Sequence, residues 1–413
     1  MHDDYDQQRA MQKNRIRRRG IYLLPNLFTT AALFAGFYAI VQAMNLTFDQ
    51  AAIAIFVAMV LDSLDGRVAR LTKTQSAFGA EYDSLSDMVS FGAAPALVMY
   101  EWVLRDMGKL GWIAAFIYCA GTALRLARFN TMLDVADKRW FTGIPSPAAA
   151  ALVAGCVFIV DDYTLERVSQ KNRIRRRGIY LLPNLFTTAA LFAGFYAIVQ
   201  AMNLTFDQAA IAIFVAMVLD SLDGRVARLT KTQSAFGAEY DSLSDMVSFG
   251  AAPALVMYEW VLRDMGKLGW IAAFVYCAGT ALRLARFNTM LEVADKRWFM
   301  GIPSPAAAAL VAGCVFIVDD YNVDPLTIKW WAWGVTVFAG LTMVSNLKYW
   351  SFKSINLKKS VPFVAIFLIV LALALLSYQP AIVLFAGFVA YAISGYVVSG
   401  WQLLRRRRAG RNP

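Results

Sequence analysis

Histidine and cysteine are scarce in this sequence. Its 413 residues contain one histidine, His2, and four cysteines. With no histidine beyond the N-terminal tail, a Ser-His-Asp triad, a histidine-liganded zinc site and an imidazole base are excluded. The cysteines stand singly in apolar runs without a Cys-x-x-Cys pair, which predicts small side chains that face lipid or the core and form neither disulfides nor metal sites. They are Cys119, Cys156, Cys277 and Cys314. Proton transfer and metal binding therefore fall to carboxylates.

Charged residues are also few. They make up 17% of the chain, against 59% hydrophobic residues, and the net charge is +11. A soluble domain has about a quarter of its residues charged. The composition therefore predicts an all-α polytopic membrane protein, with the excess of Lys and Arg placed in loops and tails.

The chain is built from a tandem duplication. Residues 12–163 match residues 170–321 with three differences, and only the second repeat continues, through residues 322–413. A solenoid has far shorter and more divergent repeats. We divide the chain into a polar tail (1–11), a truncated first repeat (12–163), a junction (164–169), a complete second repeat (170–404) and a basic tail (405–413).

Apolar segments predict about eight membrane spans in the second repeat and about five in the first, because roughly 20 residues cross the hydrocarbon core. Several of the segments are short or end in charged sequence, as expected where a helix protrudes from the membrane or lines a polar cavity. In the second repeat they are 179–202, 209–222, 246–262, 270–284, 303–318, 330–344, 361–377 and 381–404. The fold class predicted is a transmembrane helix bundle.

Basic residues orient these spans. Arginines precede the first span of the second repeat, and Arg405 to Arg408 follow its last, so both ends are predicted on the cytoplasmic side. The first repeat also begins with arginines, yet its five spans would end on the outer face. Either segment 145–160 does not fully cross, or one repeat is inverted, or the fused chain is not a well-formed natural product. The N-terminus lacks a cleavage pattern and is predicted to be retained.

The densest acidic cluster is the predicted site of chemistry, because charges inside apolar sequence are costly. On a helix, Asp220 and Asp223 share a face with Gly224 and Ala227. On the next helix, Gly237, Asp241 and Asp245 also share one face, because they are spaced at i, i+4 and i+8. The first repeat carries the same carboxylates, Asp62, Asp65, Asp83 and Asp87.

Four carboxylates from neighbouring helices suit two hard divalent cations. The small residues leave room for a ligand, and Arg228 at the helix end suits a phosphate, so the combination indicates a metal-bound diphosphate. The structural alternative is a set of buried acids paired with Arg225, Arg228 or Arg283 that lock the topology.

The pattern Asp-x-x-Asp-Gly-x-x-Ala-Arg, eight residues, Gly-x-x-x-Asp-x-x-x-Asp resembles the signature of the CDP-alcohol phosphotransferase family. It is complete in both repeats. The second repeat is also similar to the serine-transferring branch of that family. The segments that carry this likeness are Pro183 to Thr187, Asp241 to Gly250, Arg283 to Asn288 and Gly301 to Pro305.

The resemblance implies transfer of a phosphatidyl group from CDP-diacylglycerol to L-serine, with release of CMP. It implies that Asp220, Asp223 and Asp241 hold two Mg²⁺ or Mn²⁺ ions per site, and that Asp245 near the second metal takes the serine proton. Asp62, Asp65, Asp83 and Asp87 would do the same in the first repeat. The residues implied to receive the CDP moiety are Gly224, Ala227, Arg228 and Gly237, with Gly66, Ala69 and Arg70 in the first repeat. We expect direct displacement.

Residues outside the signature have two interpretations each. Asn184 and Thr187 contact the nucleotide or cap a helix. Arg283 and Arg286 bind the serine carboxylate, or they are ordinary cytoplasmic charge.

Other functions stay open at this stage. A sister enzyme that uses glycerol phosphate or inositol is the nearest, followed by a membrane prenyltransferase and a non-catalytic scaffold. The partners predicted are CDP-diacylglycerol, L-serine and membrane lipids, without nucleic acid, and either a homodimer or an intrachain pseudo-dimer. We expect a cytoplasmic-membrane protein whose site faces the cytoplasm and whose first repeat is weakly active or inactive by itself.

Overall fold

The computed structural model describes two compact units that divide near residue 174, one for each repeat. The residues described are 25–72, 74–132, 143–161, 182–230, 234–290, 297–321, 323–351 and 379–409. The predicted tail 1–11, the junction 164–169 and the seventh span, 361–377, lie outside these ranges.

The first repeat is a bundle of helices. They are α1 (Pro25–Met44), α2 (Phe48–Thr72), α3 (Ala77–Asp87), α4 (Ala94–Met99), α5 (Lys109–Met132) and α6 (Ser146–Asp161). Two π-helical segments, Met88–Ala93 and Tyr100–Leu104, join α3 to α4 and extend α4, so this part of the chain is one long helix with two wider turns.

The second repeat has the same order of helices, followed by two further helices, and it also contains two short strands. Its helices are α7 (Leu182–Met202), α8 (Phe206–Thr230), α9 (Ala235–Asp245), α10 (Ala252–Met257), α11 (Lys267–Met290), α12 (Ser304–Asp320), α13 (Lys329–Val344) and α14 (Pro380–Ala409). Strands β1 (Trp298–Met300) and β2 (Lys348–Trp350) pair antiparallel with Trp298 opposite Trp350. This small ribbon closes the end of the bundle where α11 ends and α12 begins.

Small residues let the helices of the second repeat approach closely. A side chain at Gly194 of α7 would overlap Ser248, whose hydroxyl donates to the Ala190 carbonyl of α7 at 3.0 Å. A Cβ on Gly279 of α11 would lie 2.6 Å from the backbone oxygen of Gly340 in α13. Glycine is therefore required at both positions by packing, as is usual where membrane helices meet.

The prediction of an all-α membrane bundle is confirmed. Five of the described helices are long and apolar enough to cross a membrane. They are Pro25–Met44, Lys109–Met132, Leu185–Met202, Lys267–Met290 and Ala381–Trp401. The remaining predicted spans that the structure describes lie in helices that carry charges, are shorter, or are interrupted by π-helical turns, so the count of eight stays a prediction.

All four cysteines are free thiols, as predicted, and three of them are buried. Cys156 on α6 is exposed. The matching Cys314 lies on α12, which packs against α13 and α14, and the first repeat has no counterparts of these two helices.

Candidate active site

Three carboxylates of the second repeat converge between α8 and α9. Asp220, Asp241 and Asp245 each offer one oxygen to a group whose atoms all lie within 4.8 Å of one another. Asp220 comes from α8, and Asp241 and Asp245 occupy successive turns of α9. Ser234 fixes where α9 begins, because its hydroxyl accepts from the Gly237 amide at 3.0 Å. The i, i+4 spacing then turns both α9 carboxylates towards α8.

The fourth carboxylate, Asp223, is held by α7. Thr187 donates its hydroxyl to Asp223 Oδ2 at 2.5 Å, and Asp223 is only 6% exposed. The Ser244 hydroxyl of α9 donates to the Thr187 backbone carbonyl at 3.2 Å. Thr187, which the sequence assigns to the nucleotide or to capping, thus contacts a carboxylate and ties three helices together.

Two further hydrogen bonds brace the site. Thr188 and Tyr240 share a hydroxyl–hydroxyl bond of 2.9 Å between α7 and α9. Asn288 of α11 donates to the Ser242 hydroxyl of α9 at 2.8 Å. Because these bonds involve the helices that carry the carboxylates, they hold the cluster without using its oxygens.

The first repeat repeats this geometry. Asp62, Asp83 and Asp87 also place one oxygen each within 4.8 Å of one another, and Thr29 donates to Asp65 Oδ2 at 2.7 Å. Asp83 Oδ1 is buried and has no hydrogen-bond partner. A buried, unpaired oxygen in an all-carboxylate donor set fits a hard divalent cation, which would supply the missing contact.

Beside this cluster lies a polar cleft of about 240 Å³. It gathers the residues that the sequence assigns to the CDP moiety, or their counterparts: Asn26, Thr29, Gly66, Ala69, Arg70 and Gly79, with Asp65 and Asp83 in its wall. A Cβ on Gly79 would lie 3.5 Å from Asn26 Oδ1, and one on Gly66 would lie 3.5 Å from the Arg70 guanidinium. Both glycines line the cleft, so a side chain at either position would take up space in it.

In the second repeat, Gly224 and Gly237 stand at the matching places on α8 and α9. The side chains of Asn184, Ala227 and Arg228 lie outside the described part of the chain.

Arg283 of α11 is a buried cation next to the carboxylate cluster. It is 6% exposed, donates to the Ser304 hydroxyl at 2.8 Å and lies 5.7 Å from the centre of the Phe287 ring. Its Nε is buried and has no hydrogen-bond partner. Arg283 lies close enough to the Asp245 carboxylate for their charges to interact, and the Tyr391 side chain also lies near it. A buried guanidinium that retains an unused donor suits an anionic ligand.

Arg286, one turn further along α11, is occupied. Its guanidinium donates to the carbonyls of Val344 at 3.1 Å and Ser345 at 3.1 Å, to Met300 at 3.0 Å, and to Asn346 Oδ1 at 3.1 Å. Val344 is the last residue of α13, Ser345 and Asn346 lie between α13 and β2, and Met300 is the last residue of β1. Arg286 therefore caps α13 and fixes the closing ribbon to α11.

Sequence reasoning gave no role to Ser304 or Tyr391. The signal for Ser304 was present, since it stands in the Gly-Ile-Pro-Ser-Pro segment. Tyr391 lies on α14, and its hydroxyl donates to the Trp350 carbonyl at 3.0 Å. No local pattern points to it.

Comparison with known proteins gives one family. The family model described as CDP-alcohol phosphatidyltransferase matches residues 22–172 and 180–342. Two curated CDP-diacylglycerol-serine O-phosphatidyltransferases of Helicobacter pylori, from strains J99 and 26695, are similar to this chain. They are 39% and 38% identical over 221 and 226 residues, which is 53% of this chain and 91% of each relative. The Saccharomyces cerevisiae enzyme of the same name is 38% identical over 141 residues, 31% of this chain and 50% of the relative.

Proposed function

The chain belongs to the CDP-alcohol phosphatidyltransferase family and is an integral membrane protein, and on that premise we propose that its second repeat transfers a phosphatidyl group from CDP-diacylglycerol to L-serine. The observation that carries the proposal is the convergence of Asp220, Asp241 and Asp245 beside the buried Arg283, whose Nε lacks a partner. A carboxylate cluster fits the diphosphate side of the reaction, and a buried guanidinium fits an acceptor with a carboxylate. The names of the Helicobacter pylori relatives support the same acceptor.

The donor binds on the α8 side of the site. Asp220, Asp223, Asp241 and Asp245 would hold two divalent cations, Mg²⁺ or Mn²⁺, and Thr187 keeps Asp223 oriented. When bound, these cations neutralise the diphosphate and stabilise the departing CMP. Arg228 pairs with a phosphate, and Gly224, Ala227 and Gly237 leave space for the nucleotide, as their counterparts do around the cleft of the first repeat.

The acceptor binds on the α11 side. Arg283 receives the serine carboxylate through Nε while Ser304 holds one terminal nitrogen. Inositol carries no carboxylate, and glycerol phosphate carries a larger dianion, so this pocket favours serine over both. Arg286 contributes indirectly, because its contacts with α13 occupy its donors.

The chemical step is a direct displacement. Asp245 accepts the proton of the serine hydroxyl as the serine oxygen attacks the phosphorus that bears diacylglycerol. The bond from that phosphorus to the bridging oxygen breaks, and CMP leaves with the bridging oxygen. The products are phosphatidylserine and CMP, with one proton on Asp245 that is returned to water.

We place the site at the cytoplasmic face of the cytoplasmic membrane. Basic residues at both ends of the second repeat support this orientation, since Lys and Arg stay on the cytoplasmic side. Serine and CMP are also found there.

A panel of acceptors tests the proposal. The purified chain is supplied with CDP-diacylglycerol, Mg²⁺ or Mn²⁺ and one of serine, inositol or glycerol 3-phosphate, and the lipid product is identified by mass. We expect phosphatidylserine alone. Faster formation of the inositol or glycerol phosphate lipid would reject serine as the acceptor while leaving the family chemistry intact.

A further inference from the structure

The two repeats differ in their surroundings far more than in their residues, so the site of the first repeat can be compared directly with that of the second. On the donor side they agree. The threonine-to-aspartate bond is 2.7 Å in the first repeat and 2.5 Å in the second, and both carboxylate triplets lie within the same 4.8 Å limit. The asparagine-to-serine brace between the fifth helix of each repeat and its metal-site helix is 2.8 Å in both. The carboxylates of the donor half and the bonds that hold them therefore agree in the two repeats.

The acceptor half differs. Arg125, the counterpart of Arg283, keeps its serine partner, Ser146, at 2.9 Å, and its Nε is likewise buried without a partner. Arg125 itself, however, is only half-buried, whereas Arg283 is 6% exposed. The tyrosine that lies near Arg283 comes from α14, for which the first repeat has no counterpart in its sequence.

The closing elements account for this difference. Arg286 binds the end of α13, while its counterpart Arg128 is exposed. Leu310 of α12 is 3% exposed and the matching Leu152 of α6 is 63% exposed. A Cβ on Gly301 would overlap the Met343 carbonyl, and one on Gly143 would meet nothing within 4 Å. The acceptor side of the first repeat therefore has no wall formed by α13, β2 and α14.

We infer that the first repeat binds the CDP-diacylglycerol headgroup but does not transfer its phosphatidyl group to serine. This inference rests on the function proposed for the second repeat. Donor binding needs only elements that both repeats possess. Serine capture needs a guanidinium shielded from solvent, because a charge pair weakens several-fold when the effective dielectric rises from that of a buried site towards that of water.

Each chain would therefore carry one site that turns over and a second CDP-lipid site, in the first repeat, that retains its ligand. The second site would keep donor lipid bound to the enzyme without consuming it.

Binding stoichiometry and single-turnover chemistry together test the inference. The full-length chain in detergent micelles is titrated with CDP in the presence of Mn²⁺. We expect one CDP for each repeat. Two matched variants, Asp83→Asn and Asp241→Asn, alter equivalent positions in the first and second repeats, and each is expected to lose one of the two binding sites. Retained binding at the other site also shows that the variant is folded.

The chain is then loaded with labelled CDP-diacylglycerol, serine is added, and the reaction is quenched within one turnover. The intact chain should convert about half of the bound label to phosphatidylserine, the Asp83→Asn chain nearly all of what it binds, and the Asp241→Asn chain none.

A single CDP bound by the intact chain would overturn the inference, as would phosphatidylserine formed by the Asp241→Asn chain. If CDP binds to both repeats and no chain converts the lipid with serine, the proposed serine transfer is refuted, whereas the presence of two donor sites is supported.

Discussion

Because the Thr187 hydroxyl bonds Asp223, we expect metal binding to depend on Thr187, a residue outside the acidic motif. Replacing Thr187 with valine keeps the shape of the side chain and removes the hydroxyl that donates to Asp223 Oδ2 at 2.5 Å. The bond from Ser244 survives, because it ends on the Thr187 backbone carbonyl. The change therefore removes a hydrogen bond to a buried carboxylate and keeps the backbone contact of Thr187 with Ser244.

A hydrogen bond to a charged group contributes about 1.5 to 3 kcal/mol. Its loss should weaken metal binding by about 10- to 100-fold, the range found for partners that orient metal ligands. The matched control is Thr188→Val, which removes the neighbouring hydroxyl bonded to Tyr240 at 2.9 Å and leaves the carboxylates untouched. A bond between neutral groups contributes about 0.5 to 1.5 kcal/mol, so its effect on metal binding should be under about tenfold.

The assay is the rate of phosphatidylserine formation as a function of Mn²⁺ concentration, with Mn²⁺ binding measured in parallel. We expect the Thr187→Val chain to need more Mn²⁺ for half-maximal rate and to recover most of its rate at saturation. Equal Mn²⁺ dependence in the Thr187→Val, Thr188→Val and intact chains would refute the positioning role of Thr187.

Three further changes have definite expected results. Gly279→Ala should lower the melting temperature in detergent, because the new methyl group would lie 2.6 Å from a backbone oxygen of α13 and overpacking costs about 1 to 3 kcal/mol. The matched Gly121→Ala should not lower it, because a methyl group there meets nothing within 4 Å. Equal shifts in the two variants would contradict the packing of α11 on α13. Arg286→Lys should destabilise the protein by about 2 kcal/mol, because one ammonium cannot reach all the carbonyls that the guanidinium binds, whereas the exposed Arg128→Lys should have little effect on melting. Arg283→Lys should raise the KM for serine about tenfold or more with a smaller change in the KM for CDP-diacylglycerol, and an unchanged serine KM would remove Arg283 from the pocket.

Local spacing explains what the sequence could predict. Aspartates three or four residues apart on one helix share a face whatever the rest of the chain does, so their grouping was predictable from the motif alone. The all-α membrane bundle and the family resemblance followed from composition and the signature, and both are confirmed. The roles of the individual carboxylates stay a proposal.

Long-range contacts explain what the sequence could not predict. The bond between Thr187 and Asp223 joins residues 36 apart, and the bond from Arg286 to the Val344 carbonyl joins residues 58 apart. Their formation depends on how whole helices pack, which no local pattern records. Arg283 and Arg286 look equivalent in the sequence, yet the structure shows that the terminal nitrogens of Arg286 bind the end of α13, whereas the Nε of Arg283 has no partner.

The two repeats also show that burial cannot be predicted from local sequence. Near-identical sequences give a buried Leu310 and an exposed Leu152, because α12 packs against α13 and α14, which have no counterparts in the first repeat. Local sequence therefore predicts the donor half of the site in both repeats, and only the added C-terminal helices complete the acceptor half.

The central claim is that the carboxylate cluster of the second repeat carries serine transfer. It is tested most directly by the conversion of labelled serine to chloroform-soluble phosphatidylserine, with CDP-diacylglycerol and Mn²⁺ present. The intact chain is compared with Asp245→Asn and with Asp264→Asn, an exposed aspartate away from the cluster. We expect a loss of about 100- to 10,000-fold for Asp245→Asn, the usual effect of removing a general base, and little change for Asp264→Asn. An Asp245→Asn chain that retained more than about a tenth of the rate would contradict the role of Asp245 as general base.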